Sequence, residues 1–145
     1  MKRFVYDTNV FVYAVGGDHP QREPCRAVIR RALAGEIDGV ASPDLLREFV
    51  HQRVRRTGDR ASACSMARDV ALLCRFDDLT ERDAMRALDQ FVRYERLSAR
   101  DASFTAFALN RGFDTILSVD RDLDGIEGLT RVDPADTSAV AALAG

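Results

Sequence analysis

Four acidic residues occupy positions from which their carboxylates can act together. Asp7 and Asp120 each follow an apolar segment of β character. Glu48 lies one turn into a predicted helix, and Asp101 lies in the first turn of another. Clustered carboxylates repel one another, and a divalent cation such as Mg²⁺ or Mn²⁺ relieves that repulsion while also binding phosphate. A pair of such ions roughly 4 Å apart can activate a water and stabilise the leaving oxygen of a phosphodiester.

Each acid also has a purely structural interpretation. Asp7 could cap the helix after the first strand, and Asp120 could cap the turn that follows it. Asp101 completes a Ser98-x-x-Asp pattern, which is typical of a helix start. Glu48 could be a solvated helix residue that pairs with an arginine. The chain contains 23 Asp and Glu residues, so spacing alone leaves both interpretations open.

The apolar pattern predicts the elements that must position these acids. Strands are predicted at 2–6, 39–41, 114–119 and 129–132. Helices are predicted at 10–15, 21–34, 59–75, 80–95 and 98–112, with a further helix that begins at Ser42-Pro43 and includes Val54. Thr80 and Ser98 are predicted to start their helices, each with an aspartate three positions later.

This order of elements predicts an α/β fold, in which a small parallel β-sheet is flanked by helices on both faces. We expect one domain over residues 1–145, with residues 133–145 as an alanine-rich C-terminal tail. In such sheets the functional crevice lies beyond the carboxyl ends of the strands. Asp7 and Asp120 should therefore share one edge of the sheet.

Composition narrows the classes of function. The chain has 145 residues, 46% hydrophobic and 30% charged, and no run near the roughly 18 apolar residues of a membrane span. No secretion signal opens it, so we expect a cytoplasmic protein. The three cysteines form no CxxC pattern and are expected to be free thiols. The net charge of −2 gives no general attraction to nucleic acid, so binding to RNA would need local arginines or bound metal.

Four segments, in order, resemble the motifs of the PIN-domain family. They are Phe4–Phe11 (FVYDTNVF), Ser42–Phe49 (SPDLLREF), Ser98–Ala102 (SARDA) and Ile116–Leu123 (ILSVDRDL). Leu129–Pro134 resembles the family's C-terminal strand, so the resemblance covers nearly the whole chain. The length of the chain further resembles the VapC-type toxins of toxin–antitoxin pairs.

This resemblance implies an endoribonuclease that requires Mg²⁺ or Mn²⁺ and leaves a 3′-hydroxyl and a 5′-phosphate. It implies an RNA substrate, a homodimer and a cognate antitoxin that holds the toxin silent. It assigns the metal site to four acids: Asp7, Glu48, Asp101 and Asp120. Asn9 would brace the first acid, and Ser118 would reach metal or phosphate.

The fourth acid departs from the family pattern. The family often has an aromatic residue shortly after this acid, where the present chain has Leu123. Asp122 and Asp124 are close enough in sequence to replace Asp120 as the ligand.

Arginine dominates the basic residues, because Lys2 is the only lysine. Arg100 directly precedes Asp101 and is the arginine that we expect to contact an RNA phosphate, since guanidinium groups suit bidentate phosphate binding. The alternative is a solvated helix face that forms local ion pairs.

Other functions fit the sequence less well. A phosphohydrolase with Asp7 as its nucleophile would want a second aspartate at Asn9 and a lysine later in the chain. A catalytically silent PIN-like module that binds RNA or a protein partner remains an alternative. So does a regulatory partner protein whose carboxylates only cap helices.

Overall fold

The computed structural model describes all 145 residues. The strands are β1 (Arg3–Tyr6), β2 (Asp38–Ala41), β3 (Arg75–Phe76), β4 (Thr115–Leu117) and β5 (Thr130–Val132). The helices are α1 (Asn9–Val15), α2 (Arg22–Leu33), α3 (Asp44–Thr57), α4 (Arg60–Ala71), α5 (Glu81–Arg93), α6 (Ala99–Asn110) and α7 (Thr137–Ala142). A 3₁₀ helix covers Arg121–Leu123. No helix is both long and apolar enough to cross a membrane.

The five strands form one parallel sheet in the order β3-β2-β1-β4-β5. Phe4, Val5 and Tyr6 of the central strand are all fully buried. Because successive side chains of a strand point to opposite faces, this burial requires helices on both faces. The predicted α/β fold with a small parallel sheet is therefore confirmed.

The sheet places a crevice at the carboxyl end of its central strand. From β1 the chain proceeds outward to β2 and β3, and then returns to the other side of β1 as β4 and β5. Ligands of open parallel sheets bind where the strand order reverses in this way. The backbone N–H of Asp7 donates to the carbonyl of Leu117, 3.0 Å away, so the ends of β1 and β4 meet at this point.

One predicted boundary was wrong and one strand was missed around the end of α4. The helix expected at 59–75 ends at Ala71, and a strand that was not predicted, β3, follows at Arg75–Phe76. The apolar spacing continues past the helix end through Leu72 and Leu73, which gives no sign of the break. β3 exists because Arg75 and Phe76 pair with Val40 and Ala41 of β2, a contact that local sequence does not encode.

The C-terminal tail expected at 133–145 contains helix α7 and is packed against the domain. Val140 and Leu143 are buried, and the N–H of Lys2 donates to the carbonyl of Leu143 at 3.0 Å. Asp136 starts the helix, because its carboxylate accepts the N–H of Ala139 at 3.0 Å. Burial of the two apolar side chains, rather than alanine content alone, orders this segment.

Smaller differences concern where elements begin and end. The helix predicted to start at Ser42-Pro43 begins at Asp44, and the Ser42 hydroxyl accepts the N–H of Asp44 at 3.3 Å. The strand expected at 114–119 is confined to Thr115–Leu117. Its shorter length leaves Ser118, Val119 and Asp120 in a loop at the carboxyl edge.

Candidate active site

Asp7 lies at the floor of the crevice, directly after β1, and only 5% of its surface is exposed. Its Oδ2 accepts hydrogen bonds from the Ser118 hydroxyl at 2.6 Å and from Asn9 Nδ2 at 3.1 Å. Asn9 Oδ1 in turn accepts the N–H of Val119 at 3.1 Å. The side chain of Asn9 therefore joins the ends of β1 and β4 and orients Asp7 between them.

Ser118 links Asp7 to Asp120. Its side chain is fully buried, and its hydroxyl donates to Asp7 while accepting the N–H of Asp120 at 3.0 Å. Asp120 Oδ1 accepts the N–H of Asp122 at 2.9 Å and so starts the 3₁₀ helix. The hydroxyl of Ser118 is thus committed to orienting two acids, and Ser118 does not line the cavity described below.

Asp101 is positioned by the start of α6. The Ser98 hydroxyl accepts the N–H of Asp101 at 3.1 Å, and Asp101 Oδ2 accepts the N–H of Ser98 at 3.3 Å. These reciprocal bonds form the predicted capping box. The structural interpretation of Asp101 is therefore correct, and the same geometry fixes its carboxylate at the crevice.

Glu48 approaches from α3 and already has partners for both carboxylate oxygens. Gln52 Nε2 donates to Oε1 at 2.8 Å, and Arg100 Nη1 donates to Oε2 at 2.5 Å. The glutamate side chain is 13% exposed, whereas that of Arg100 is 56% exposed. Arg100 therefore forms an ion pair, but the pair is not local: its partner is one of the four acids and lies on another helix.

One cavity of about 290 Å³ brings the four predicted acids together. A water occupies about 30 Å³ of liquid, so the cavity has room for hydrated ions and a phosphate group. Its lining comprises the four acids and eight other residues: Thr8, Asn9, Val12, Tyr13, Gln52, Arg56, Arg100 and Phe104. As they are placed in this structure, no three of the Asp, Glu, His and Cys side chains lie close enough together to hold a metal ion.

Several residues of this lining were not predicted from the sequence. Gln52 and Arg56 follow Glu48 by four and eight positions, so helical spacing alone could have placed them on its face. Val12 and Tyr13 carry no comparable signal, because apolar residues of a short helix look the same whether they line a core or a crevice.

Of the three candidates for the fourth acid (Asp120, Asp122 and Asp124), only Asp120 lines the cavity. Asp124 is directed elsewhere, because its carboxylate forms two hydrogen bonds with Arg131, at 2.7 and 3.3 Å. This pairing holds the pKa of Asp124 below its ordinary value. Asp122 is exposed and contributes its backbone N–H to Asp120.

The electrostatics of the cavity favour a cation. Burial, together with the charges of Asp101 and Asp120, raises the pKa of Asp7 to about 7 despite the hydrogen bond from Ser118, which lowers it. Burial also raises the pKa of Asp101, with the charges of Asp120 and Asp122 acting in the same direction. A set of oxygen ligands whose members resist ionisation beside one another fits a hard divalent ion.

Comparison with known proteins gives consistent results. The family model described as PIN domain matches residues 4–129. Ribonuclease VapC7 of Mycobacterium tuberculosis is 32% identical over 143 residues, which cover 97% of this chain and 97% of the relative.

Solved structures share the fold at low sequence identity. VapBC2 of Rickettsia felis, bound to a DNA fragment from its promoter, matches with a TM-score of 0.69 and 16% identity over 90% of this chain and 98% of that chain. VapC20 of Mycobacterium tuberculosis, described as a sarcin–ricin loop cleaving toxin, matches with a TM-score of 0.65 and 20% identity over 83% of this chain and 91% of that chain.

Proposed function

This chain belongs to the PIN-domain family, and we propose that it is a toxin endoribonuclease that hydrolyses RNA phosphodiester bonds with the help of Mg²⁺ or Mn²⁺. One observation carries the proposal. Carboxylates from four separate parts of the chain line one cavity at the carboxyl edge of the sheet. Nothing in the fold requires four acids to meet there, and their mutual repulsion disfavours it.

In this proposal Asp7, Glu48, Asp101 and Asp120 hold the metal. A divalent ion bound by them supplies Lewis acidity and lowers the pKa of a bound water. Asn9 and Ser118 orient Asp7 through neutral hydrogen bonds, so they hold the carboxylate in place without neutralising it.

Binding of the RNA strand is assigned to the arginines at the rim of the cavity. Arg56 and Arg100 line the cavity with the acids, and both side chains are exposed. Each phosphate neutralised by an arginine releases counterions, which makes affinity fall with salt. Replacing Arg100 with alanine should therefore reduce the slope of log affinity against log salt, and an unchanged slope would remove Arg100 from the RNA contacts.

A toxin of this kind is expected to have an antitoxin partner. We propose that the antitoxin binds in an apolar groove on this structure. The groove has a volume of about 400 Å³ between α1, α2 and α4, and eight of its nine lining residues are hydrophobic. Leu72 on its edge is 85% exposed. Exposed apolar grooves of this kind suit an amphipathic segment of a partner. A solved structure that shares the fold is described as a toxin–antitoxin complex from Klebsiella pneumoniae, and this supports an antitoxin partner here.

A homodimer and a cytoplasmic location complete the proposal. Four large apolar side chains of α5 are exposed in one stripe: Met85, Leu88, Phe91 and Val92. A second copy of the chain could cover this stripe. The three cysteines form no disulfide, which agrees with a reducing compartment.

The decisive experiment uses Asp7→Asn, which keeps the shape of the side chain and removes its charge. Purified wild-type protein, free of antitoxin, is incubated with total cellular RNA and Mn²⁺, with and without EDTA, and new 5′ ends are mapped. We expect defined cuts that disappear with EDTA and fall by at least about 100-fold in Asp7→Asn, because loss of a partner that only supports a metal ligand already costs about 10- to 100-fold. Asp18→Asn removes the same charge from an exposed loop and should cut normally.

Two results would contradict the proposal. Cuts that persist in EDTA would exclude metal-dependent hydrolysis. Intact RNA together with no Mn²⁺ binding by titration calorimetry would leave the catalytically silent binding module as the better interpretation.

A further inference from the structure

Arg100 occupies an unusual position for a cation. It lies in the first turn of α6, immediately before Asp101, where the positive end of the helix dipole disfavours a guanidinium. It makes no hydrogen bond within α6 that would compensate. Its single side-chain hydrogen bond extends to Glu48 Oε2 on α3, 52 residues away in sequence. Glu48, and not helix α6 itself, therefore holds the Arg100 side chain in place.

The same contact removes Glu48 from the set of free ligands. With Gln52 on Oε1 and the Arg100 guanidinium on Oε2, each oxygen of Glu48 already accepts a hydrogen bond, and an ion at Oε2 would have to compete with a cation. The other three acids of the cavity lack an arginine partner: Asp7, Asp101 and Asp120 are bonded to hydroxyl or backbone groups and to Asn9. Only the glutamate is neutralised from within the chain.

Arg100 also has space into which it can move. A second cavity of about 340 Å³ adjoins the first and shares Glu48, Arg100 and Phe104 with it. Asp44, Arg47 and His51 also line this second cavity. The guanidinium of Arg100 thus stands at the boundary between the carboxylates and a groove that leads away from them.

We propose that Arg100 is an internal stand-in for the divalent cation, occupying Glu48 until the ion binds and then turning into the adjoining cavity, where an RNA phosphate can bind it. This inference rests on the proposed metal-dependent function. An ion pair whose arginine is exposed to solvent contributes little stability, whereas a divalent ion gains attraction from four carboxylates at once, so exchange favours the ion. Loading of the metal would then release the arginine that contacts RNA.

The first test measures Mn²⁺ affinity by titration calorimetry on the metal-free full chain, without RNA. Arg100→Ala removes the competitor and is expected to bind Mn²⁺ about 2- to 5-fold more tightly than wild type, the range that a surface ion pair supports. Arg56→Ala is the matched control, because Arg56 lines the same cavity without contacting a carboxylate. It measures the general effect of removing one positive charge.

The possible outcomes distinguish the stand-in role of Arg100 from the proposed metal-dependent function. Tighter binding in Arg100→Ala than in Arg56→Ala supports the stand-in role. Equal affinities in these two variants, or weaker binding in Arg100→Ala, overturn the stand-in role while the metal site remains. Absence of Mn²⁺ binding in all three proteins overturns both the stand-in role and the metal-dependent function.

A second measurement observes Arg100 directly. Its Nε–H signal in a ¹H–¹⁵N spectrum is assigned by its loss in Arg100→Lys, and Mg²⁺ is then titrated into the wild-type protein. Release from Glu48 predicts a shift of this signal that saturates with the metal, while the Arg56 signal moves little. A signal of Arg100 that stays unchanged at saturating Mg²⁺ overturns the proposal.

Discussion

Two buried aspartates of this chain have pKa values displaced in opposite directions. Asp7 is 5% exposed and Asp83 is 1% exposed, so burial opposes the charge of both. Burial and neighbouring acids raise the pKa of Asp7 to about 7. For Asp83, hydrogen bonds from Arg111 and Asn110 outweigh burial and hold the pKa well below its ordinary value. Asp83 has its counter-charge within the chain. Asp7 has only neutral partners and lacks a counter-charge, which a metal ion would supply.

The raised pKa of Asp7 predicts how stability depends on pH when metal is absent. Since the folded-state pKa of about 7 exceeds the ordinary value of 3.8, the folded protein binds this proton more tightly than the unfolded chain. The stabilising effect is complete below about pH 4 and is lost as pH rises through 7. At pH 8 the free energy of unfolding of Asp7→Asn should therefore exceed that of the wild type by up to about 4 kcal/mol.

The measurement is urea unfolding in EDTA between pH 4 and pH 8. The advantage of Asp7→Asn should shrink as pH falls, because wild-type Asp7 then takes up its proton. Addition of Mn²⁺ at pH 8 should stabilise the wild type and not the variant, since ligands that bind only the folded state raise its stability. A difference between the two proteins that is constant with pH would show that Asp7 is not the titrating group.

At the scale of elements, the contact between α5 and α6 contains buried polar side chains, whereas contacts between helices are usually apolar. Arg111 follows α6 and donates to both carboxylate oxygens of Asp83, at 2.9 and 2.8 Å. Gln90 of α5 is also buried, and its amide donates to the Thr105 hydroxyl at 3.3 Å. Polar groups on the inner side of α5 leave its apolar residues on the outer side.

Removing Arg111 should test how much this polar contact contributes. Arg111→Ala leaves Asp83 charged, buried and without its cation, and loss of one partner of a buried pair costs about 3 to 5 kcal/mol. Denaturant unfolding at pH 7 measures the change. Arg82→Ala, an exposed arginine of α5 without a carboxylate contact, should change stability by less than about 0.5 kcal/mol. Equal effects of the two variants would mean that the Asp83–Arg111 pair is unimportant.

The sheet depends on a second close contact, between Tyr6 of β1 and Gly39 of β2. A Cβ atom at position 39 would lie 1.9 Å from ring carbon Cε2 of Tyr6. The ring is fully buried and packs on Phe4 and Phe11, so it has no space to withdraw. Gly39→Ala should therefore lower the free energy of unfolding by about 1 to 3 kcal/mol or more.

Gly17→Ala is the control for this prediction, because nothing lies within 4 Å of its added Cβ. Thermal or urea unfolding of the two variants should differ clearly. Wild-type stability in Gly39→Ala would show that the Tyr6 ring can move after all.

The elements that could be predicted are those whose signals are local. Asp83 and Asp101 each sit three residues after the residue that starts their helix, and both predicted capping boxes are present. Strand β3 could not be predicted, because two residues gain their strand character only by pairing with β2. The exposed apolar face of α5 was equally hidden, since periodicity locates a stripe but does not say which side of the helix faces the core.

The candidate site shows the same contrast between features with a local sequence signal and features that depend on packing. Asp7 and Asp120 were predicted to share a sheet edge from their positions after strands, and the structure places both at one cavity. The pair between Glu48 and Arg100 was not predicted, because a contact across 52 residues depends on how α3 and α6 pack. For the same reason, sequence alone did not separate Asp120 from Asp122 and Asp124.

At the scale of the whole molecule, two apolar surfaces are left uncovered. One is the groove between α1, α2 and α4, and the other is the stripe of α5 formed by Met85, Leu88, Phe91 and Val92. Isolated exposed apolar residues are common, whereas contiguous ones mark contact surfaces. The stripe lies along a single helix, so it can meet the same stripe of a second copy about a two-fold axis. The concave groove instead suits a segment from another chain.

Replacing Leu88 with aspartate should therefore separate the two surfaces. Leu88 is 60% exposed in the centre of the stripe, so the change costs the monomer little, but a dimer would have to bury two unpaired carboxylates. Light scattering after size exclusion should show a dimer for wild type and dissociation at least about tenfold easier for Leu88→Asp. Leu72→Asp, at the edge of the groove, is the matched control and should remain a dimer, because Leu72 lies outside the proposed dimer interface on α5. Dissociation in Leu72→Asp but not in Leu88→Asp would assign the dimer to the groove, and the α5 stripe would then be free for the other partner.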